Sequence, residues 1–145
     1  MLNSKIARVV FCVLIAVGML FVPVGSKPVK VHASSIGQQV VCKLSAPITF
    51  SASSGSVQIV GLGSGLIIRV CHVSISASAA TNFTLQSGTG ANCGTGTAAL
   101  SGAYNNVTTL ALDFGGTLRT PVSTAFCINS SASITAGGIA TYAQF

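Results

Sequence analysis

The candidates for chemistry beyond residue 33 are a histidine, an acidic residue and four cysteines. His72 is the one histidine of that part of the chain, and Asp113 is the one acidic residue of the whole chain. With a serine they would complete a Ser-His-Asp set, but the nucleophile motif G-x-S-x-G is absent. Cys71 and His72 are adjacent, so on a strand their side chains project to opposite faces and do not form a thiolate–imidazole pair. We therefore predict a protein that is not an enzyme, with no catalytic residue and no cofactor.

The cysteines of this region predict disulfides rather than a metal site. None of them lies in the C-x₂₋₄-C spacing of a zinc site, and an even number in a short exported domain implies two disulfide bonds. Three pairings are formally open for the four residues, which are Cys42, Cys71, Cys93 and Cys127.

Strand alternation predicts which way two of these cysteines face. In the run 40–44, Cys42 shares a strand face with Val40 and Leu44, and in the run 71–75, Cys71 shares one with Val73 and Ile75. Both cysteines are therefore expected to face inward.

The other two cysteines are expected on the outside. Phe126 and Ile128 form the apolar face of their run, so Cys127 between them faces outward, and Cys93 lies in a Gly-rich segment able to fold over the surface. The preferred pairing is therefore Cys42 with Cys71 and Cys93 with Cys127.

The N-terminus has the organisation of a secretory signal peptide. Lys5 and Arg8 precede an uncharged apolar run at 9–25, a more polar stretch follows, and Val31 and Ala33 form a small-residue cleavage site. We predict a signal peptide at 1–33 that meets the membrane only transiently, and a secreted or cell-surface domain at 34–145. The alternative is an uncleaved anchor helix, for which the apolar run has the minimum length.

Short β-type runs separated by Gly, Ser, Asn and Pro predict an all-β domain with no helical period. We expect eight to ten strands in a single antiparallel β-sandwich of jelly-roll or Greek-key type, with an open barrel as the alternative. The Gly-rich segments 61–65 and 88–96 resemble phosphate loops, but neither precedes a helical pattern, so we expect turns. The predicted strands are 39–44, 48–51, 56–60, 66–76, 82–87, 97–104, 107–114, 124–130, 133–135 and 138–145.

The charge distribution argues against nucleic-acid binding. The chain has a formal net charge of +6, but four of its seven basic residues precede residue 33. The remaining cations, Lys43, Arg69 and Arg119, are expected to be scattered and solvated, which is no footprint for a polyanion. So few charges also give little repulsion between copies. We therefore expect self-association, or a place in a cell surface or virion.

Two functions follow as hypotheses. The favoured one is a non-enzymatic exported structural or surface protein that self-assembles, virion-like, through apolar faces or edge strands. The alternative is an extracellular ligand- or glycan-binding module that uses Tyr104, Tyr142 and Asn or Thr side chains. It ranks second because the chain has no Trp and only two Tyr for stacking on sugars.

A resemblance adds to the favoured hypothesis. The segments 68–72, 87–96 and 120–128 and the Y-x-Q-F ending at 142–145 resemble a group of small, largely uncharacterised β-proteins from phage and bacterial genomes, over about residues 39–145. The resemblance implies a structural or surface role, with phage-borne members as virion components, and transfers no active site. A signal peptide is a departure from what a virion protein assembled in the cytoplasm carries.

Overall fold

The fold is all-β and antiparallel, as the sequence predicts. The computed structural model describes residues 40–145, so the predicted signal peptide and the boundary after residue 33 lie outside the described residues. One five-stranded sheet and a single 3-10 turn, Ala91–Cys93, make up the described structure. No helix among these residues is long and apolar enough to cross a bilayer. The strands are β1 Leu44–Val60, β2 Ile68–Thr89, β3 Thr95–Ala99, β4 Tyr104–Arg119 and β5 Ala125–Gln144.

The predicted number of strands is wrong, since the described residues form five strands. The expected eight to ten short strands merge into five, because small polar residues in their gaps bend a strand without ending it. In β1 the predicted breaks fall at Pro47 and at 52–55, and both positions lie inside one strand. Pro47 is tolerated because β1 pairs only with β5, so the missing N–H can face the open edge. The jelly-roll or Greek-key sandwich stays a prediction.

The sheet has the order β1-β5-β2, with two strands on the far side of β2. β3 pairs with residues 86–89 of β2, and β4 pairs with residues 69–83. All pairings are antiparallel. β2 and β5 therefore form the centre of the sheet, while β1 leaves one edge open.

The sheet bends over on itself halfway along its strands. Phe50 lies opposite Ala136 and Phe83 lies opposite Ser130, positions that would be about 20 Å apart along a straight β5. The rings of Phe50 and Phe83 nevertheless have centroids only 6.0 Å apart. β1 turns the corner with positive φ angles at Ala52 and Gly55. The two halves of the sheet consequently share one core.

The core is aliphatic and aromatic, and its members come from four of the five strands. Residues from both halves of β1, β2 and β5 are fully or nearly fully buried in a single cluster, together with Leu110 from β4. Its largest fully buried hydrophobic side chains are Phe50, Phe83, Phe126, Ile48, Ile68, Ile75, Leu85 and Ile128. This continuity is the direct evidence that the described residues form one folded body.

Candidate functional site

The structure pairs Cys42 with Cys71 and Cys93 with Cys127. The Cα atoms are 6.2 Å apart in the first pair and 6.3 Å in the second, the range of disulfide geometry. Cys127 lies on the face opposite Phe126 and Ile128, and it packs with Cys93 and Ala125 in a second buried cluster. The segment between β2 and β3 thus covers the outer face of one half of the sheet.

The alternation argument fails around Cys42. Residues 40–43 are not in a strand, β1 begins at Leu44, and Leu44 is 46% exposed instead of facing the core. Val40 reaches across to β4, where a Cβ atom built on Gly116 would lie 2.7 Å from the Cβ atom of Val40. The segment before β1 therefore crosses the sheet, and a strand-face rule does not apply to it. Cys71 is buried as predicted, but it lies at the register shift between Val70 and His72 and outside the core cluster that contains Val73 and Ile75.

The expectation that the cations are scattered is wrong for two of the three. Arg69 on β2 lies directly opposite Arg119 on β4, so their side chains leave the sheet on the same face. Arg69 Nη1 donates a hydrogen bond to the carbonyl of Gly116 at 3.4 Å. Like charges directly opposite each other are destabilising. This pair is the first unusual feature of the candidate site.

His72 and Asp113 form the next row of the same face. They are directly opposite each other, and His72 is flanked on its other side by Thr141 of β5. Arg69 and His72 share a face because their β5 partners, Ala143 and Thr141, are two residues apart, about 7 Å along the strand. A register shift at Cys71 makes this possible, since residues 69 and 72 would face opposite ways on a regular strand.

A loop within β4 brings Asp113 close to Arg119. Between the pairs Val70–Leu118 and His72–Asp113, residues 114–117 have no partner on β2. Gly115 and Gly116 carry positive φ angles of 54° and 80°, which glycine adopts without strain. The carboxylate Oδ1 of Asp113 accepts a hydrogen bond from the Gly115 N–H at 3.0 Å. We call Arg69, His72, Asp113 and Arg119 the charged cluster.

The charged cluster holds three of the four charged side chains in the described residues, namely its two arginines and Asp113. Lys43 is the one other charged side chain there. It follows Cys42 directly, so its Cα atom lies within about 10 Å of that of Cys71, given the 6.2 Å across the disulfide. The sheet therefore has its charge at one end.

Thr141, His72 and Asp113 place a hydroxyl, an imidazole and a carboxylate side by side, but they do not form the hydrogen-bonded chain of a catalytic triad. The Asp113 carboxylate is engaged by the Gly115 N–H, and among residues 40–145 no hydrogen bond joins His72 to Asp113 or to Thr141. Asp113 is exposed and His72 is half-buried on an open sheet face. The row lacks the linked hydrogen bonds by which a base is oriented and a hydroxyl activated.

A cleft lies between β3 and the end of β4. It has a volume of about 520 Å³, within the range typical of small-molecule sites. Arg119 is the one charged residue that lines it, and the buried hydroxyls of Ser87 and Thr120 are also in its wall. The apolar lining residues are Ile67, Ala98, Ala99, Leu100, Pro121 and Val122. The cleft thus adjoins the charged cluster through Arg119.

Exposed apolar side chains surround the same end of the sheet. Ile67 and Phe145 exchange two backbone hydrogen bonds of 2.8 and 3.1 Å, and the Ser123 N–H donates to the carbonyl of Leu66 at 2.9 Å. These bonds bring the turn before β2, the turn before β5 and the last residues together. We call the exposed members the apolar end: Leu62 (49% exposed), Leu66 (38%), Val122 (55%) and Phe145 (60%).

Several other candidate residues are not in this site. Tyr104 and Tyr142 are half-buried and pack against the core, so part of each ring is already covered. Neither Gly-rich segment leads into an α-helix, and residues 63–66 and 91–94 form turns closed by backbone hydrogen bonds. No group of three or more metal-ligating side chains occurs in the described part of the chain.

Comparison of the chain with protein-family models, curated proteins and solved structures finds no match. The resemblance to small phage and bacterial β-proteins therefore stays a prediction. The site rests on the geometry of the chain itself.

Sequence reasoning missed the charged cluster and the cleft. Arg69 and Arg119 are 50 positions apart, so their meeting depends on the register of β2 with β4 and on the bulge at Cys71. The available signal was the Gly115–Gly116 pair, which begins two residues after Asp113 and is typical of a loop inside a strand pattern.

Proposed function

We propose that the protein is a non-enzymatic, exported structural or surface protein that self-associates through its apolar end. The observation that carries this proposal is the exposure of Leu62, Leu66, Val122 and Phe145 on segments that backbone hydrogen bonds hold together. An exposed apolar patch on a soluble domain is typical of an interaction surface. The two disulfides support maturation in an oxidising compartment outside the cytoplasm.

A second copy of this chain can meet the four residues of the apolar end without desolvating a charge on them. None of the four residues of the apolar end is charged, and the described residues carry three cations and one anion in total. The open edges favour association less. Pro47 interrupts the β1 edge, and residues 114–117 bulge out of β4. Both features are known to blunt an edge strand. We therefore place the contact at the apolar end rather than at an edge.

Replacing Phe145 by Asp is expected to weaken self-association by about tenfold or more, because a carboxylate would have to be desolvated in the contact. The substitution leaves the backbone pair with Ile67 in place. Sedimentation velocity over a concentration series measures the effect. Wild-type protein should form species larger than a monomer, and the Phe145→Asp protein should shift toward monomer.

Ile139→Asp is the matched control. Ile139 is 45% exposed on the same strand and gains the same charge, but it lies about 20 Å from Phe145 along β5. It should associate like the wild type. A wild-type protein that stays monomeric at every concentration contradicts the proposal, and loss of association only in Ile139→Asp moves the contact to the sheet face.

The second candidate, a ligand- or glycan-binding module, keeps one structural observation in its favour, the cleft beside Arg119. Its predicted tyrosines, Tyr104 and Tyr142, do not line this cleft and are partly buried against the core. A glycan array without signal would remove the sugar-binding form of this candidate.

A further inference from the structure

The cleft between β3 and the end of β4 has a mostly apolar lining that includes one charged residue, Arg119. Six of its nine lining residues are apolar, and they come from three separate parts of the chain. On one side of the cleft, the Leu100 N–H donates a hydrogen bond to the carbonyl of Leu85 on β2 at 2.8 Å. The end of β4 is held by the Thr120 N–H, which donates to the carbonyl of Ile68 at 2.9 Å. Both sides of the cleft are therefore fixed by backbone hydrogen bonds.

The hydroxyl groups in the cleft already have partners. Ser87 Oγ donates to the carbonyl of Ala98 at 3.5 Å, and Thr120 Oγ1 accepts the N–H of Ile68 at 3.2 Å. Arg119 is different, because the one carboxylate side chain of the protein, Asp113, lies opposite His72 and accepts the Gly115 N–H. The residue directly opposite Arg119 is another arginine, Arg69.

Arg69 and Arg119 are direct partners across β2 and β4, and two neighbouring cations favour an anion close to both. Each has five N–H donors, and Arg69 uses one of them on the carbonyl of Gly116. A carboxylate accepts two parallel bonds from one guanidinium and removes the repulsion between two. The apolar residues next to Arg119 favour a ligand that also has a hydrocarbon part. A small inorganic anion would leave these residues exposed to water.

We propose that this cleft binds a small amphiphilic carboxylate. Its carboxylate lies at Arg119, whose direct partner Arg69 lies outside the cleft lining, and its hydrocarbon part lies against Leu100, Pro121 and Val122. The cleft volume of about 520 Å³ accommodates a chain or ring of modest size. The site does not require self-association and goes beyond the structural role proposed above.

Titration with octanoate and with octanol tests the proposal. Both probes have the same chain length, and they differ in the group that would meet the arginines. NMR shifts of the Ala98 and Ala99 methyl groups locate binding in the cleft, and the exposed Ala111 methyl serves as a distant reference. Octanoate should bind about tenfold more tightly than octanol, because charge-assisted hydrogen bonds form only with the carboxylate.

Arg119→Gln should reduce octanoate affinity about tenfold and leave octanol affinity unchanged. Lys43→Gln removes the same charge outside the cleft and should leave both affinities unchanged. Thermal unfolding of each variant checks that the fold is intact. Equal affinity for the two probes, equal loss in both variants, or methyl shifts that avoid Ala98 and Ala99 would each overturn the proposal.

Discussion

Replacing Cys93 and Cys127 together by alanine is expected to lower the free energy of unfolding by about 4 kcal/mol. The bond joins residues 34 positions apart, and in the chain-entropy description a loop of this length stabilises the folded state by roughly 3 to 4 kcal/mol. Both cysteines are also fully buried, so the substitution removes packed sulfur atoms from the cluster with Ala125. Denaturant unfolding under oxidising conditions measures the loss.

The other disulfide is the comparison. Cys42 lies two residues before β1 and is only half-buried, so without its bond the segment 40–43 can detach while β1 stays paired with β5. The Cys42→Ala/Cys71→Ala protein should therefore lose less than the Cys93→Ala/Cys127→Ala protein. A loss below about 1 kcal/mol in the latter would contradict this account of what stabilises the fold.

Gly138→Ala is expected to cost about 3 kcal/mol, the upper end of the usual range for overpacking. Gly138 lies between Ile48 of β1 and Ile75 of β2. A Cβ atom there would collide with the backbone oxygen of Ser74 and would lie 2.9 Å from the Cα atom of Ile75. Backbone atoms in the centre of a sheet cannot rotate away, so the strands would have to separate.

The neighbouring glycine provides the control. A Cβ atom on Gly137 would meet nothing within 4 Å, so Gly137→Ala should leave stability within about 0.5 kcal/mol or raise it slightly by restricting the unfolded chain. Thermal or denaturant unfolding of the two variants side by side measures the difference. Similar losses of stability in the two variants would show that the close approach of β2 to Gly138 does not determine the cost of adding a side chain there.

Local alternation was enough to predict that Cys127 faces away from Phe126 and Ile128, but not that Cys127 and Cys93 are buried in a second cluster on that face. Phe126 and Ile128 flank it within one strand, and the side-chain period of a strand needs no knowledge of its partners. The same rule failed at Leu44 because residues 40–43 are not a strand and cross the sheet toward Gly116. Alternation is therefore informative only where the segment is paired.

Strand boundaries could not be predicted for a related reason. Ala, Ser and Gly at 52–55 predicted a break between strands, whereas in the folded protein they form a corner within β1. Contacts such as Phe50 with Phe83 stabilise that corner, and they join residues far apart in sequence. A composition pattern cannot distinguish a corner from an end, since both need small residues.

The candidate site depends entirely on long-range register. The facing pair Arg69–Arg119 and the row His72–Asp113 exist because β4 loops out at 114–117 and β2 bulges at Cys71. The cleft likewise needs β3 and the end of β4 to lie on the same edge of β2. The residue types were visible in the sequence, but their arrangement was not.

Intact mass spectrometry of the protein exported by cells that express the full chain tests the central claim most directly. The claim is that the domain matures outside the reducing cytosol and is stabilised by two disulfides. The account predicts the mass of residues 34–145 less four hydrogen atoms, two for each disulfide, with those hydrogens regained on reduction. An unprocessed chain with every thiol free would contradict it.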